Sequence, residues 1–114
     1  MRFLVVASTV AILSGCVSPG DVETNAPTIK QVTSKDPRSY AICVLPKWQD
    51  ARRDASMNET VNGYRLLVAS NYMTDEVLDV EHVTNGSQVT LRQRMPWSAM
   101  PGRTAIESAV RSCL

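Results

Sequence analysis

Most of the residue types that catalysis relies on are scarce in this chain. Its 114 residues include one histidine, one phenylalanine and three cysteines. Two cysteines and a lone histidine at no recognisable spacing do not fill a tetrahedral zinc site. There is no glycine-rich phosphate loop, no Gly-x-Ser-x-Gly, no His-Glu-x-x-His and no acidic calcium loop. These absences set the expectation that the protein is not an enzyme, needs no cofactor and holds no metal. An excess of one charge is also lacking, with 12 Lys+Arg against 11 Asp+Glu, so nothing general favours nucleic acid as a partner. Aromatics make up only 5% of the residues, so the core must be mainly aliphatic. The apolar run Phe3 to Leu13 would reach roughly 16 Å as a helix, too short to span a hydrocarbon core of about 30 Å.

That run is nevertheless informative. Arg2 supplies a positive start, Phe3 to Leu13 an apolar middle, and Leu13-Ser14-Gly15-Cys16 a small-residue end, which is the three-part pattern of an export signal. Leu13-Ser14-Gly15-Cys16 resembles the lipobox of bacterial lipoproteins. The resemblance implies that residues 1–15 are a signal peptide. It also implies that Cys16 opens the mature chain and carries diacylglyceryl and acyl (palmitate-type) chains, which would hold the protein on a membrane. Val17 rather than Asp after the cysteine implies, by the enteric sorting rule, the outer membrane facing the periplasm. Removing Arg2 with the signal leaves 11 basic side chains against 11 acidic ones.

Residues 16–35 hold Ser18-Pro19-Gly20 and Asn25-Ala26-Pro27 with little apolar periodicity. They read as a lipidated cysteine followed by a flexible tether, leaving residues 36–114 as one small domain. Asp36-Pro37 has the form of a helix N-cap followed by proline at the first helical position. Tyr40, Cys43, Val44 and Trp48 then recur at helical spacing. Pro46 interrupts that helix, by a kink or by a stop near Val44. Asn62-Gly63 and Asn85-Gly86 each predict a two-residue hairpin turn. In that register Val61 faces Tyr64 and Met57 faces Val68, while His82 faces Val89 and Val80 faces Leu91. A four-strand meander follows. Met95 to Gly102 reads as a loop with Trp97 packed back onto the domain. Thr104 and Glu107 suit a capping box, opening a last helix with the stripe Ile106, Ala109, Val110 and Cys113.

With Cys16 lipidated, Cys43 and Cys113 remain, each on the inward stripe of its helix. In an oxidising compartment they suit a structural disulfide between the two terminal helices; redox pairs usually come as Cys-x-x-Cys. The fold expected is α+β and two-layered, a four-stranded antiparallel meander flanked by an N-terminal and a C-terminal helix on one face. Cys43 followed by Trp48, Gly86-Ser87 before a Val89/Leu91 strand, and the terminal Cys113 resemble small proteobacterial envelope lipoproteins with one helix-to-helix disulfide. That resemblance implies no activity.

For function, the exposed sheet face offers Arg65, Leu67, Glu81 and Arg92 as a candidate partner surface for an envelope protein or the cell wall. Arg65, Arg92 and Arg94 with Arg52, Arg53, Arg103 and Arg111 offer a second candidate, a local basic patch. The leading expectation is a lipid-anchored, non-enzymatic binding or accessory module. One alternative is an inhibitor of a host or phage enzyme such as lysozyme. Another is an enzyme using His82 and Glu59, which fall on one face of the sheet where the alternation calls for apolar residues.

Overall fold

The computed structural model describes residues 18–70 and 73–114. The export segment and Cys16 lie outside the described residues, and so does the lipidation reading. The elements run α1 (Pro19–Glu23), β1 (Ile29–Thr33), α2 (Pro37–Ala51), β2 (Ala55–Thr60), β3 (Gly63–Ala69), β4 (Thr74–Val83), β5 (Gly86–Gln93) and α3 (Arg103–Ser112). The class is α+β. The sheet is open and antiparallel with order β1-β5-β4-β3-β2, so the expected meander is present with a fifth strand added on the β5 side.

That fifth strand comes from residues read as tether, and the four-strand count is corrected accordingly. In β1 only Ile29 and Thr33 are buried, while Val32 is 68% exposed. An edge strand this short shows no apolar alternation. Its hold is polar: the Thr28 amide donates to the Leu91 carbonyl at 2.8 Å, and the Asn25 side-chain amide to the Gln93 carbonyl at 2.9 Å.

Both hairpins turn one residue earlier than Asn-Gly predicts. Thr60 pairs with Gly63 and Val83 with Gly86, so the loops are Val61-Asn62 and Thr84-Asn85. Asn85 takes the left-handed conformation at φ 66°, which asparagine tolerates. The glycines are required by the neighbouring strands instead. A Cβ on Gly63 would overlap the Val80 carbonyl oxygen, and one on Gly86 the Thr33 carbonyl oxygen. The register moves by two residues per pair, so the faces hold: Leu66, Val68, Leu78, Val80, Val89 and Leu91 all enter one core. Val61 falls in the turn, fully exposed.

α2 and α3 cover that face. Asp36 caps α2 by accepting from the Ser39 amide, and Pro46 sits inside a continuous helix on its exposed side, where the missing donor matters least. Tyr40, Ala41, Val44 and Trp48 are buried from α2, and Ile106, Ala109, Val110 and Cys113 from α3 and its C-cap. The Tyr40 hydroxyl donates to the Val110 carbonyl at 2.7 Å, and the Trp48 indole N–H to the Ile106 carbonyl at 3.1 Å. These pairings run in opposite senses, so the helices are antiparallel. The Cys43–Cys113 disulfide joins them as a third tie, with Cα atoms 5.9 Å apart. The Thr104–Glu107 capping box does not form. Gly102 is the N-cap, in the left-handed region at φ 76°, and Glu107 instead accepts from the Gln93 side-chain amide at 2.9 Å.

Candidate functional site

Three regions outside the core place the residues singled out above. The first is the sheet face opposite α2 and α3. It is not open along its length, because α1 packs on β4 and β5, and Val22 and Val77 are both buried outside the main core cluster. Arg65 is half-buried there. Its guanidinium donates to Asp79 at 2.8 Å and to Glu23 of α1 at 2.7 Å. Arg92 donates to the Asn25 carbonyl at 3.1 Å, with Asp79 at 4.0 Å. The Asp79 carboxylate beside it, and then burial, hold the Glu23 carboxyl up to about 7, while Arg65 and Arg92 oppose that rise.

Two members of the candidate partner surface, Arg65 and Arg92, are thus engaged with the α1 segment. The other two are not engaged by it: Leu67 on β3 is half-buried and Glu81 on β4 is exposed. Cross-strand register sets Ser56 beside Leu67 and Asn58 beside Arg65, and both β2 side chains are exposed. The parts of this face still open are therefore Ser56, Asn58, Leu67 and Glu81 on the β2 side and, across from Glu81, Gln88 with the exposed Val32 and Lys30 on the β1 side.

Most of the basic patch also resolves into pairs, while Arg53 and Arg111 are exposed and enter no ion pair among the described residues. Arg94 and Arg52 both bind Asp75, at 2.7 and 3.1 Å. Arg103, only 5% exposed, meets Glu76 at 2.7 Å and donates to the carbonyls of Asp75, Arg94, Met95 and Ser98. Burial pushes the Glu76 carboxyl up, partly offset by Arg103, and its Oε2 has no hydrogen-bond partner among the described residues. The arginines alone do not reveal these pairings, which depend on which carboxylates the strands bring alongside.

The second region is a shallow cleft of about 310 Å³ at the α2 N-terminus, where Glu59, Tyr64 and His82 come together with Asp36 and Arg38. The structure thus brings His82 and Glu59 to one place, as the alternation implied. Neither side chain has a hydrogen-bond partner among the described residues.

The third region was missed. Trp97, expected to pack inward, is 79% exposed. It stands on the loop before α3, facing α1 across a cleft of about 410 Å³ lined by Asp21, Val22, Arg94 and Pro96. No group of three or more His, Cys, Asp or Glu among the described residues could hold a metal ion. Nor is any helix among them long and apolar enough to cross a membrane. No protein-family model, curated protein or solved structure matches the chain.

Proposed function

We propose that this protein is a lipid-anchored component of a bacterial cell envelope, a non-enzymatic binding or accessory module on the outer membrane facing the periplasm. The observation that carries the reading is Leu13-Ser14-Gly15-Cys16 directly after the apolar run Phe3 to Leu13. The Cys43–Cys113 disulfide supports it, since such bonds persist in oxidising compartments. The partner, a protein or the cell wall, would meet Ser56, Asn58, Leu67 and Glu81, on the β2 side of the outer sheet face that α1 leaves open. The β2 edge beside them offers unpaired backbone groups to an added strand.

Two measurements test the two halves. Metabolic labelling with an alkyne-tagged palmitate should label the wild type, and Cys16→Ser should abolish the label and leave the precursor uncleaved. A Cys16→Ser chain that is still labelled, or an unlabelled wild type, removes the anchor. Photo-crosslinkers at Asn58 and Glu81 in intact cells should then give a discrete adduct. Adducts at neither position, with folded and lipidated protein, would rule out this face.

A further inference from the structure

We propose that α1 and the loop Met95 to Trp97 form a membrane-docking face, seating the domain directly on the bilayer with the Trp97 ring at headgroup level. The inference rests on Cys16 being the lipid-bearing residue.

Chain geometry sets the reach. Cys16 and Ser18 are two peptide units apart, so their Cα atoms lie within about 7 Å. α1 begins at the next residue, Pro19. It is fixed to the sheet by buried Val22 and by Glu23 on Arg65. A lipid on Cys16 would therefore hold this end of the domain at the membrane without a long tether.

What lies at that end is the exposed loop. Trp97 is 79% exposed and Met95 38%, with Pro96 also exposed between them, and the cleft joins them to Asp21 and Val22 of α1. The loop is held in place. Met95 is kept at φ 48°, a left-handed conformation costly for any residue other than glycine. Arg103 binds the Met95 and Ser98 carbonyls at 2.7 and 3.0 Å. A pinned loop presenting tryptophan, methionine and proline to solvent is an unfavourable arrangement in water. It suits the membrane interface, where tryptophan's apolar ring and polar N–H are both satisfied.

The chain has two tryptophans, and Trp48 is fully buried, so fluorescence can isolate Trp97. Full-length lipidated protein would be reconstituted in phosphatidylethanolamine/phosphatidylglycerol vesicles with and without dibrominated acyl chains, alongside Trp97→Phe. Brominated lipid should quench roughly half or more of the Trp97-dependent emission, as expected for an interfacial ring, and should leave the Trp48 emission of Trp97→Phe unchanged. Vesicle-bound protein whose Trp97 is unquenched and remains open to aqueous acrylamide would overturn the docking face while keeping the anchor. Shielding from acrylamide without bromolipid quenching would assign the loop to a protein partner or a second copy, and would also overturn it. Failure to float with the vesicles would overturn the anchor itself, and the docking face with it.

Discussion

The two faces of the sheet are held by opposite means. Against α2 and α3 lie Leu66, Val68, Leu78, Val80, Val89 and Leu91, closed by Tyr40, Trp48 and one disulfide. Against α1 lie Arg65, Asp79 and Arg92 with Glu23, and the buried apolar contribution is little more than Val22 and Val77. Burying aliphatic side chains gives about 25 cal/mol per Å² with no demand on direction. Half-exposed ion pairs give about 0–1 kcal/mol each and depend on geometry, salt and pH. The helix-covered face therefore carries the stability, and the α1 face is positioned more than stabilised.

The largest way to break that contrast is to open the tie on the strong face. Replacing both cysteines, Cys43→Ala with Cys113→Ala, removes a link across 70 residues. The chain-entropy relation puts the loss at about 4 kcal/mol, a large share of what a small domain has. Urea unfolding should show it as a fall in midpoint with a steeper slope, because the uncrosslinked unfolded chain exposes more surface. A loss below about 1 kcal/mol would mean that the Tyr40 and Trp48 bonds to α3 already hold the helices together.

Next in size is the junction of the two faces, where Arg103 is buried against Glu76 and four backbone carbonyls. Arg103→Met keeps the aliphatic stem but strands Glu76 and frees those carbonyls. Breaking one side of a buried pair costs about 3–5 kcal/mol. Because burial already pushes the Glu76 carboxyl up, protonation can absorb part of the charge, and a loss of about 3 kcal/mol is expected. Arg103→Met should also loosen the Trp97 loop, seen as faster amide exchange from Met95 to Ser98. An unaltered loop would show that Arg103 serves only Glu76.

The same contrast explains what was legible beforehand. Periodicity detects apolar faces, so α2, α3 and four strands could be read from residue spacing, and Cys43 and Cys113 could be placed on the inward stripes of their helices; their pairing also used the lipobox reading of Cys16. It fails where apolar content is sparse. α1 buries one valine, and β1 buries Ile29 and Thr33 with an exposed Val32 between. Turn chemistry located both hairpins but missed each loop by one residue, because the glycines answer to a third strand crossing close by. At the candidate surface, Glu81 and Leu67 could be placed by alternation. The engagement of Arg65 and Arg92 could not, since it depends on Glu23 and Asn25, more than forty residues earlier. Trp97 was misplaced by the reasonable rule that large aromatics bury themselves, and its exposure carries the membrane-docking proposal.

The smallest expected effect is confined to the α1 face and concerns pH. Glu23 faces Asp79, Arg65 and Arg92, and its carboxyl is held up to about 7 from an ordinary 4.5. Between those values the folded state keeps a proton that the unfolded chain releases. Stability from this group is therefore full below about pH 4.5 and is lost as pH rises through about 7. Water screens a side chain 30% exposed, so the change should stay under about 1 kcal/mol. Glu23→Gln keeps a hydrogen-bonding group against Asp79 without the charge, and should flatten this part of the pH dependence between pH 5 and 8. Glu76 is raised too, so a residual slope of the same sign will remain in the variant. The decisive reading is local: amide exchange in α1 should accelerate from pH 6 to 8, beyond the intrinsic rate, in the wild type but not in Glu23→Gln. Equal acceleration in both would mean that Val22 alone holds α1 to the sheet.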